Sequence, residues 1–127
     1  MRPPAWMESV IRDFGRSAGV SNLALNDRGS AALTFANGMT LRLEYAEEAL
    51  TVAMSVPWHG DLPALKRLLS YSHPKAGMGL AIRTGLSRRS SALLAAARFP
   101  DRDVTLPNLN LAFTVLWRIA ESVGGAA

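Results

Sequence analysis

The run LTFANGMTL, residues 33–41, sets Asn37-Gly38 between two alternating apolar segments, the strongest local signal for a β-hairpin. A two-residue Asn37-Gly38 turn would place Phe35 opposite Thr40 and Leu33 opposite Arg42, mixing charged and apolar side chains on both faces. A three-residue loop, Ala36-Asn37-Gly38, instead pairs Phe35 with Met39, Leu33 with Leu41 and Ala31 with Leu43. A type I turn with Gly38 left-handed produces that register. A slip of one residue would exchange the two faces, so the apolar pattern selects the longer loop. The hairpin then carries one oily face and one face of Thr34, Thr40, Arg42 and Glu44.

Elements on either side supply what the oily face can meet. Upstream, Trp6, Met7, Val10, Ile11 and Phe14 recur at three- and four-residue spacing, predicting a helix from Pro3-Pro4 to about Ala18 that stops at Gly19. Asn26-Asp27-Arg28-Gly29 reads as a turn into the hairpin, and Glu47-Glu48 as a short polar connection out of it. From Ala49 to Val56 the alternation is clean, with Leu50, Val52, Met54 and Val56 on one face of a half-buried antiparallel strand. Asp61 and Pro63 begin a second helix to about Tyr71, with Leu62, Leu65, Leu68, Leu69 and Ser72 on one side and an exit at Pro74 and Gly77. Met78, Leu80 and Ile82 then alternate as a strand. Local signals leave SSALLAAARF undecided, since its alanines favour helix while its shortness and the Phe99-Pro100 ending favour strand. A last helix runs from about Asn108 to Val123, apolar around more than half its girth, with Asn110, Thr114, Arg118 and Glu121 as its polar stripe. Helices segregated beside an antiparallel meander define an α+β fold within one domain, residues 1–127.

Composition narrows the function classes. Nearly half of the 127 residues are apolar and 19% are charged, which excludes a disordered chain. No apolar run reaches the roughly 18 residues of a membrane span, and acids interrupt the N-terminal apolar stretch, against a signal peptide. With no cysteine there is neither a disulfide framework nor a thiolate metal site, so a cytoplasmic protein is expected. The net charge of +4 comes from twelve arginines and two lysines, scattered except for Arg88-Arg89.

No catalytic constellation emerges. His59 and His73 stand alone beside helix breakers, without acids at ligand spacing. GMGLAIRTG, from Gly77, misses the glycine spacing of a phosphate loop, because Ile82 occupies the third glycine position. Ser90-Ser91 lacks the Gly elbow of a nucleophilic serine, and adjacent Glu47-Glu48 would point to opposite faces of a strand. No metal or cofactor is expected. The unusual quantity is apolar area: three amphipathic helices and a small sheet carry enough to serve a second chain as well as a core.

Taken together, the opening helix with FGRSAGV, then LALNDRGSAALTFANGMTLRLEY, then ALTVAMSV and the Leu-rich DLPALKRLLSYS resemble the class I type III secretion chaperones, the Tir chaperone (CesT-like) family. Leu33, Phe35, Gly38, Leu41, Leu43 and Glu44 match that family's hairpin spacing, and the likeness spans about Val10 to Val123. The resemblance implies a dimeric fold of α-β-β-β-α-β-β-α order, with a twisted antiparallel sheet and three helices, and it makes SSALLAAARF a strand. It also implies a non-enzymatic bacterial chaperone that binds the N-terminal segment of a secreted effector or translocator, as homodimer or heterodimer. On that basis the client-binding residues expected are Trp6, Val10, Phe14, Leu33, Phe35, Leu43 and Tyr45. The dimer surface expected is Leu65, Leu68, Leu69 and Tyr71, with Leu80 and Ile82. Family members are usually acidic, whereas the pI here is near 10.3, which points to a partner rich in Asp and Glu. The alternative, a small basic nucleic-acid-binding module, would need aromatics exposed along a basic groove.

Overall fold

A computed structural model of the chain describes residues 3–70 and 80–125. Helix α1 spans Ala5–Ser17; strands β1 (Ser30–Thr34), β2 (Thr40–Ala46) and β3 (Ala49–Pro57) follow. Helix α2 (Leu62–Ser70), strands β4 (Arg83–Ser87) and β5 (Ala92–Pro100), and helix α3 (Leu106–Ala120) complete the order. The five strands form one sheet in the order β1-β2-β3-β5-β4, every pair antiparallel, so β1 and β4 are its edges. Among the described residues no helix is long and apolar enough to cross a membrane.

The hairpin has the expected register: Leu33 pairs with Leu41 and Ala31 with Leu43. The Phe35 N–H donates to Met39 O (2.8 Å), the Gly38 N–H to Phe35 O (3.0 Å), and Gly38 sits at φ +89°. Asn37 Oδ1 accepts from the Met39 N–H at 3.0 Å, which fixes the loop from inside.

Helix α1 ends where Gly19 predicts. Gly19 is left-handed at φ +86°, and the Val20 N–H returns to Gly15 O (2.7 Å) while the Gly19 N–H returns to Arg16 O (3.1 Å), a Schellman closure. By local propensity Gly15 is a weak spot in the helix, but it has a use there. A Cβ there would stand 2.6 Å from Leu23 Cβ and 3.1 Å from Val20 O, so glycine lets the segment after α1 fold back against it. Gly15→Ala ordinarily gains up to about 1 kcal/mol in a helix. Here it is expected to lose about 1–3 kcal/mol through overpacking, read from the denaturant midpoint.

Strands β2 and β3 are joined by Glu47 and Glu48, both left-handed at φ 54° and 57°. The tight type I′ connection that matches the twist of the sheet demands this, although Asn-Gly would adopt it with less strain. Glu47→Asn combined with Glu48→Gly is expected to raise the unfolding free energy by about 1–2 kcal/mol in chemical denaturation. The one ion pair forfeited, Glu47 to Arg98 at 3.9 Å, is solvent-exposed and contributes little.

The helices cover one face of the sheet. Leu41, Leu43 and Tyr45 on β2, Leu50, Val52, Met54 and Val56 on β3, and Leu93, Ala95, Ala97 and Phe99 on β5 are buried beneath them. Met7, Ile11 and Phe14 of α1 and Leu109, Ala112, Val115, Leu116 and Ile119 of α3 close the core from above.

One element undecided on local signals takes its expected form, and two boundaries differ from expectation. SSALLAAARF is a strand, as the resemblance implies, and pairs along β3 from Ala92 opposite Pro57 to Pro100 opposite Ala49. Two ladders of hydrogen bonds and a buried face outweigh a helix preference worth fractions of a kcal/mol per residue. The preceding strand begins at Arg83, later than the Met78–Ile82 alternation suggested, because its register with β5 is set by the turn after Ser87. Met78, Gly79 and the exit at Pro74 and Gly77 lie outside the described residues. Helix α3 starts at Leu106 because the extended Thr105 caps it, its hydroxyl accepting from the Asn108 N–H at 3.3 Å, with Pro107 in the first turn.

Candidate partner-binding surfaces

Two apolar surfaces remain outside this core. The first is an aromatic hollow at the tip of the β1–β2 hairpin. Phe113 and Trp117 are four residues apart on α3 and therefore share a face, their ring centroids 5.7 Å apart. Phe35, the last residue before the hairpin loop, meets Trp117 edge-on at 5.1 Å and Phe113 at 6.2 Å. Beneath them the buried Phe14 ring holds Phe113 in a T-shaped contact at 5.9 Å. The three upper rings are half-buried and, with Ala18, Thr114, Arg118 and Glu121, line an open hollow of about 470 Å³. Its floor is hydrocarbon and its rim carries one cation and one anion. It lies beside β1, an edge strand with no neighbouring strand among the described residues on its outer side.

The second surface is the outer side of α2. Ala64 and Leu68 turn inward and are buried, whereas Leu62 is 61% exposed, Leu69 is 52% exposed and Leu65 is half-buried. Leu62, Leu65 and Leu69 fall at i, i+3 and i+7, an apolar stripe in which Leu62 and Leu69 face out and Leu65 packs against the edge of the core.

The expected client-binding residues divide. Trp6 is 48% exposed on α1, and Val10, Leu33 and Phe35 are half-buried at the margin of the core. Phe14, Leu43 and Tyr45 are buried, which corrects their assignment to a docking surface: Leu43 and Tyr45 lie on the sheet face that the helices cover, and Phe14 is on the side of α1 turned into that core. Tyr45 keeps its hydroxyl satisfied by the Asp101 carboxylate at 2.9 and 3.2 Å. Removal from water, followed by that hydrogen bond and the charges of Asp101 and Glu48, raises its ionisation above the ordinary phenol range.

The expected dimer residues divide too. Leu69 is exposed and Leu65 half-buried, but Leu68 and Ile82 are core residues and are corrected accordingly. Leu80 is half-buried and packs against the core, and Tyr71 lies outside the described residues. Leu68 points inward because the helical period sets it one turn from Ala64, on the side facing the sheet. The residues expected from the sequence include neither Phe113 nor Trp117. Their four-residue spacing on a helix already apolar elsewhere was the available signal. Leu62 was likewise left out, although it stood on the stripe.

Among the described residues no group of three or more His, Asp or Glu could hold a metal ion, and His59 is exposed. Ser90 and Ser91 sit in the β4–β5 turn, where the Ser90 and Ser87 hydroxyls bond each other at 2.7 Å.

A helix-covered antiparallel sheet with apolar surface to spare is the architecture of type III secretion chaperones. The chain superposes on a chain of the crystal structure of the ExsC-ExsE complex with a TM-score of 0.76, at 17% identity, covering 100% of both chains. On the Yersinia pestis type III secretion chaperone SycH, solved with a stable fragment of YscM2, it superposes with a TM-score of 0.70 at 20% identity, over 93% of this chain and 99% of that one. At the sequence level, residues 6–124 match the family model described as Type III secretory system chaperone SycN. The chaperone protein SycN of Yersinia pseudotuberculosis is 30% identical over 122 residues, covering 94% of this chain and 97% of that protein. The chain belongs to the SycN family of type III secretory system chaperones, which are chaperones and not enzymes.

Proposed function

We propose that residues 1–127 form a single cytoplasmic chaperone domain that dimerises and holds the N-terminal segment of a secreted protein extended and soluble until export. The observation that carries this reading is the hollow of Phe35, Phe113 and Trp117 beside the unpaired edge of β1. An extended client segment can add to that edge by main-chain hydrogen bonds while one of its apolar side chains enters the hollow. Each such anchor contributes roughly 1.5–3 kcal/mol before the cost of ordering the segment. Trp6, Val10 and Leu33 extend the apolar margin on which further anchors rest. The Leu62, Leu65 and Leu69 stripe of α2 serves the second subunit, either an identical chain or a related chaperone.

A nucleic-acid-binding role is disfavoured by the same hollow. Phe35 meets Trp117 edge-on and the other two ring pairs are tilted, so the rings pack on one another and do not line a basic groove, and Glu121 shares the rim with Arg118.

The test is capture and protection of a client. Co-expressed with candidate secreted proteins, the chain is expected to co-purify with one whose N-terminal segment is cut by protease when free and shielded when bound. Phe35→Ala should abolish the shielding while leaving the helical circular-dichroism signal intact. A segment cut equally fast with and without the chaperone would overturn the reading.

A further inference from the structure

The face of the sheet turned away from the helices carries an ordered pattern unrelated to the hollow or to the α2 stripe. Strand register aligns Arg42 with Ala53, Ala53 with Ala96, and Ala96 with Arg83 in one row across β2, β3, β5 and β4. The next row runs Thr40, Ser55, Leu94 and Gly85. Down the two central strands the outer face is therefore Thr51, Ala53 and Ser55 beside Arg98, Ala96 and Leu94; past Arg98, which stands opposite Thr51 toward one end, these residues are partly exposed and none is charged. A solvent-facing sheet ordinarily bears charged and long polar side chains in its middle. Here those side chains stand only at the borders: Arg42 on β2, Arg83 on β4, and Arg98 at one end, all exposed. Gly85 extends the floor without a side chain, and a Cβ there would touch nothing within 4 Å.

The dimensions specify an occupant. Arg42 and Arg83 are three strand spacings apart, about 14 Å. An α-helix with its side chains is about 10–12 Å across, so it fits between them along the central strands. Strand β3, nine residues long, spans about 30 Å, the length of roughly 20 helical residues, and the uncharged floor past Arg98, from Ala53 to Pro57, covers about half of it. Charge decides the kind of helix. The borders hold Arg42, Arg83 and Arg98 against Glu44 alone on the strands; Glu47, in the β2–β3 turn, pairs with Arg98 at 3.9 Å, and neither Arg42 nor Arg83 makes a salt bridge with a described residue. A second copy of this face would bring arginine onto arginine. The structure assigns this outer face to a partner protein's amphipathic helix, small and aliphatic along its buried stripe and acidic on both flanks. This surface is independent of the proposed client and dimer surfaces, being on the opposite side of the sheet from the helices.

The probe is a fluorescein-labelled helical peptide of roughly 18 residues, about 27 Å long, with Ala and Leu on one stripe and Glu on both borders, beside a second peptide with Lys in place of Glu. Anisotropy is followed at about 0.05 M salt, where screening is weak. The acidic peptide is expected to bind the full chain at least roughly tenfold more tightly than the Lys peptide. Arg42→Glu with Arg83→Glu should invert that preference, and both changes are on exposed side chains that leave the core untouched. Phe35→Ala and Leu69→Glu should leave acidic-peptide binding unchanged, which separates this surface from the client and dimer surfaces. Equal binding of the two peptides, no inversion in the double variant, or displacement of the acidic peptide by a short single-stranded DNA that binds more tightly would each overturn the assignment.

Discussion

Leu68→Glu is expected to yield a chain without a cooperative unfolding transition, whereas Leu69→Glu, one residue further along the same helix, yields a folded monomer. Leu68 is 1% exposed and sits in the core with Ala64 and Val123, so a carboxylate there has no partner and no water. A carboxyl buried there without a partner, even if it takes up a proton, adds an unsatisfied polar group to the loss of a packed leucine, several kcal/mol against the roughly 5–15 kcal/mol by which a domain of this size is stable. Leu69 is 52% exposed, and a glutamate in its place stays in solvent within the subunit. Placed in an apolar interface between two copies of α2, however, two such carboxylates would face each other without counterions. Light scattering and a thermal melt on each variant separate the outcomes. A dimeric, normally folded Leu69→Glu chain would remove the α2 stripe from the subunit interface.

The second large effect falls on Phe113, whose ring touches Phe14, Phe35 and Trp117. Phe113→Ala removes the middle of that stack. The expected cost to stability is about 2–4 kcal/mol, a little below that of a fully buried phenylalanine because this ring is half-exposed. The hollow loses its wall at the same time, so a client segment anchored there is expected to dissociate at least roughly tenfold faster. Trp117→Ala is the informative companion. Its ring lies further toward the rim, away from Phe14, so it should keep most of the stability while losing a comparable share of client affinity. If both variants destabilised the chain equally and held client normally, the stack would be a structural cap and nothing more.

These predictions concern residues whose roles local patterns described unevenly. Alternation along β2 and β3 gave the correct inward face because antiparallel strands with one covered side leave a period of two in the sequence. The hairpin loop was legible because Asn37-Gly38 and the apolar register agree on a single geometry. Gly19 likewise named its own helix end, since only a left-handed residue closes that type of cap at little cost.

The remainder depended on what lies across the chain. Gly15 reads locally as a poor helix residue, yet its worth comes from Leu23, eight residues away and pressed against it. The segment 92–100 has helical propensity but becomes a central strand because β3 and β4 flank it on both sides. Leu68 and Leu69 are equally apolar neighbours; only the placement of α2 over the sheet decides which is core and which is surface. The hollow needs Phe14, Phe35 and Phe113 from three elements, and the arginine-bordered face needs the strand order β2-β3-β5-β4, neither of which any window of sequence contains. Sequence alone determined the periodicities, the turn at 36–38 and the family, because those are local or cumulative along the chain. Tertiary structure decided burial and the surfaces left for partners, because both are differences between what a side chain offers and what distant elements have already covered.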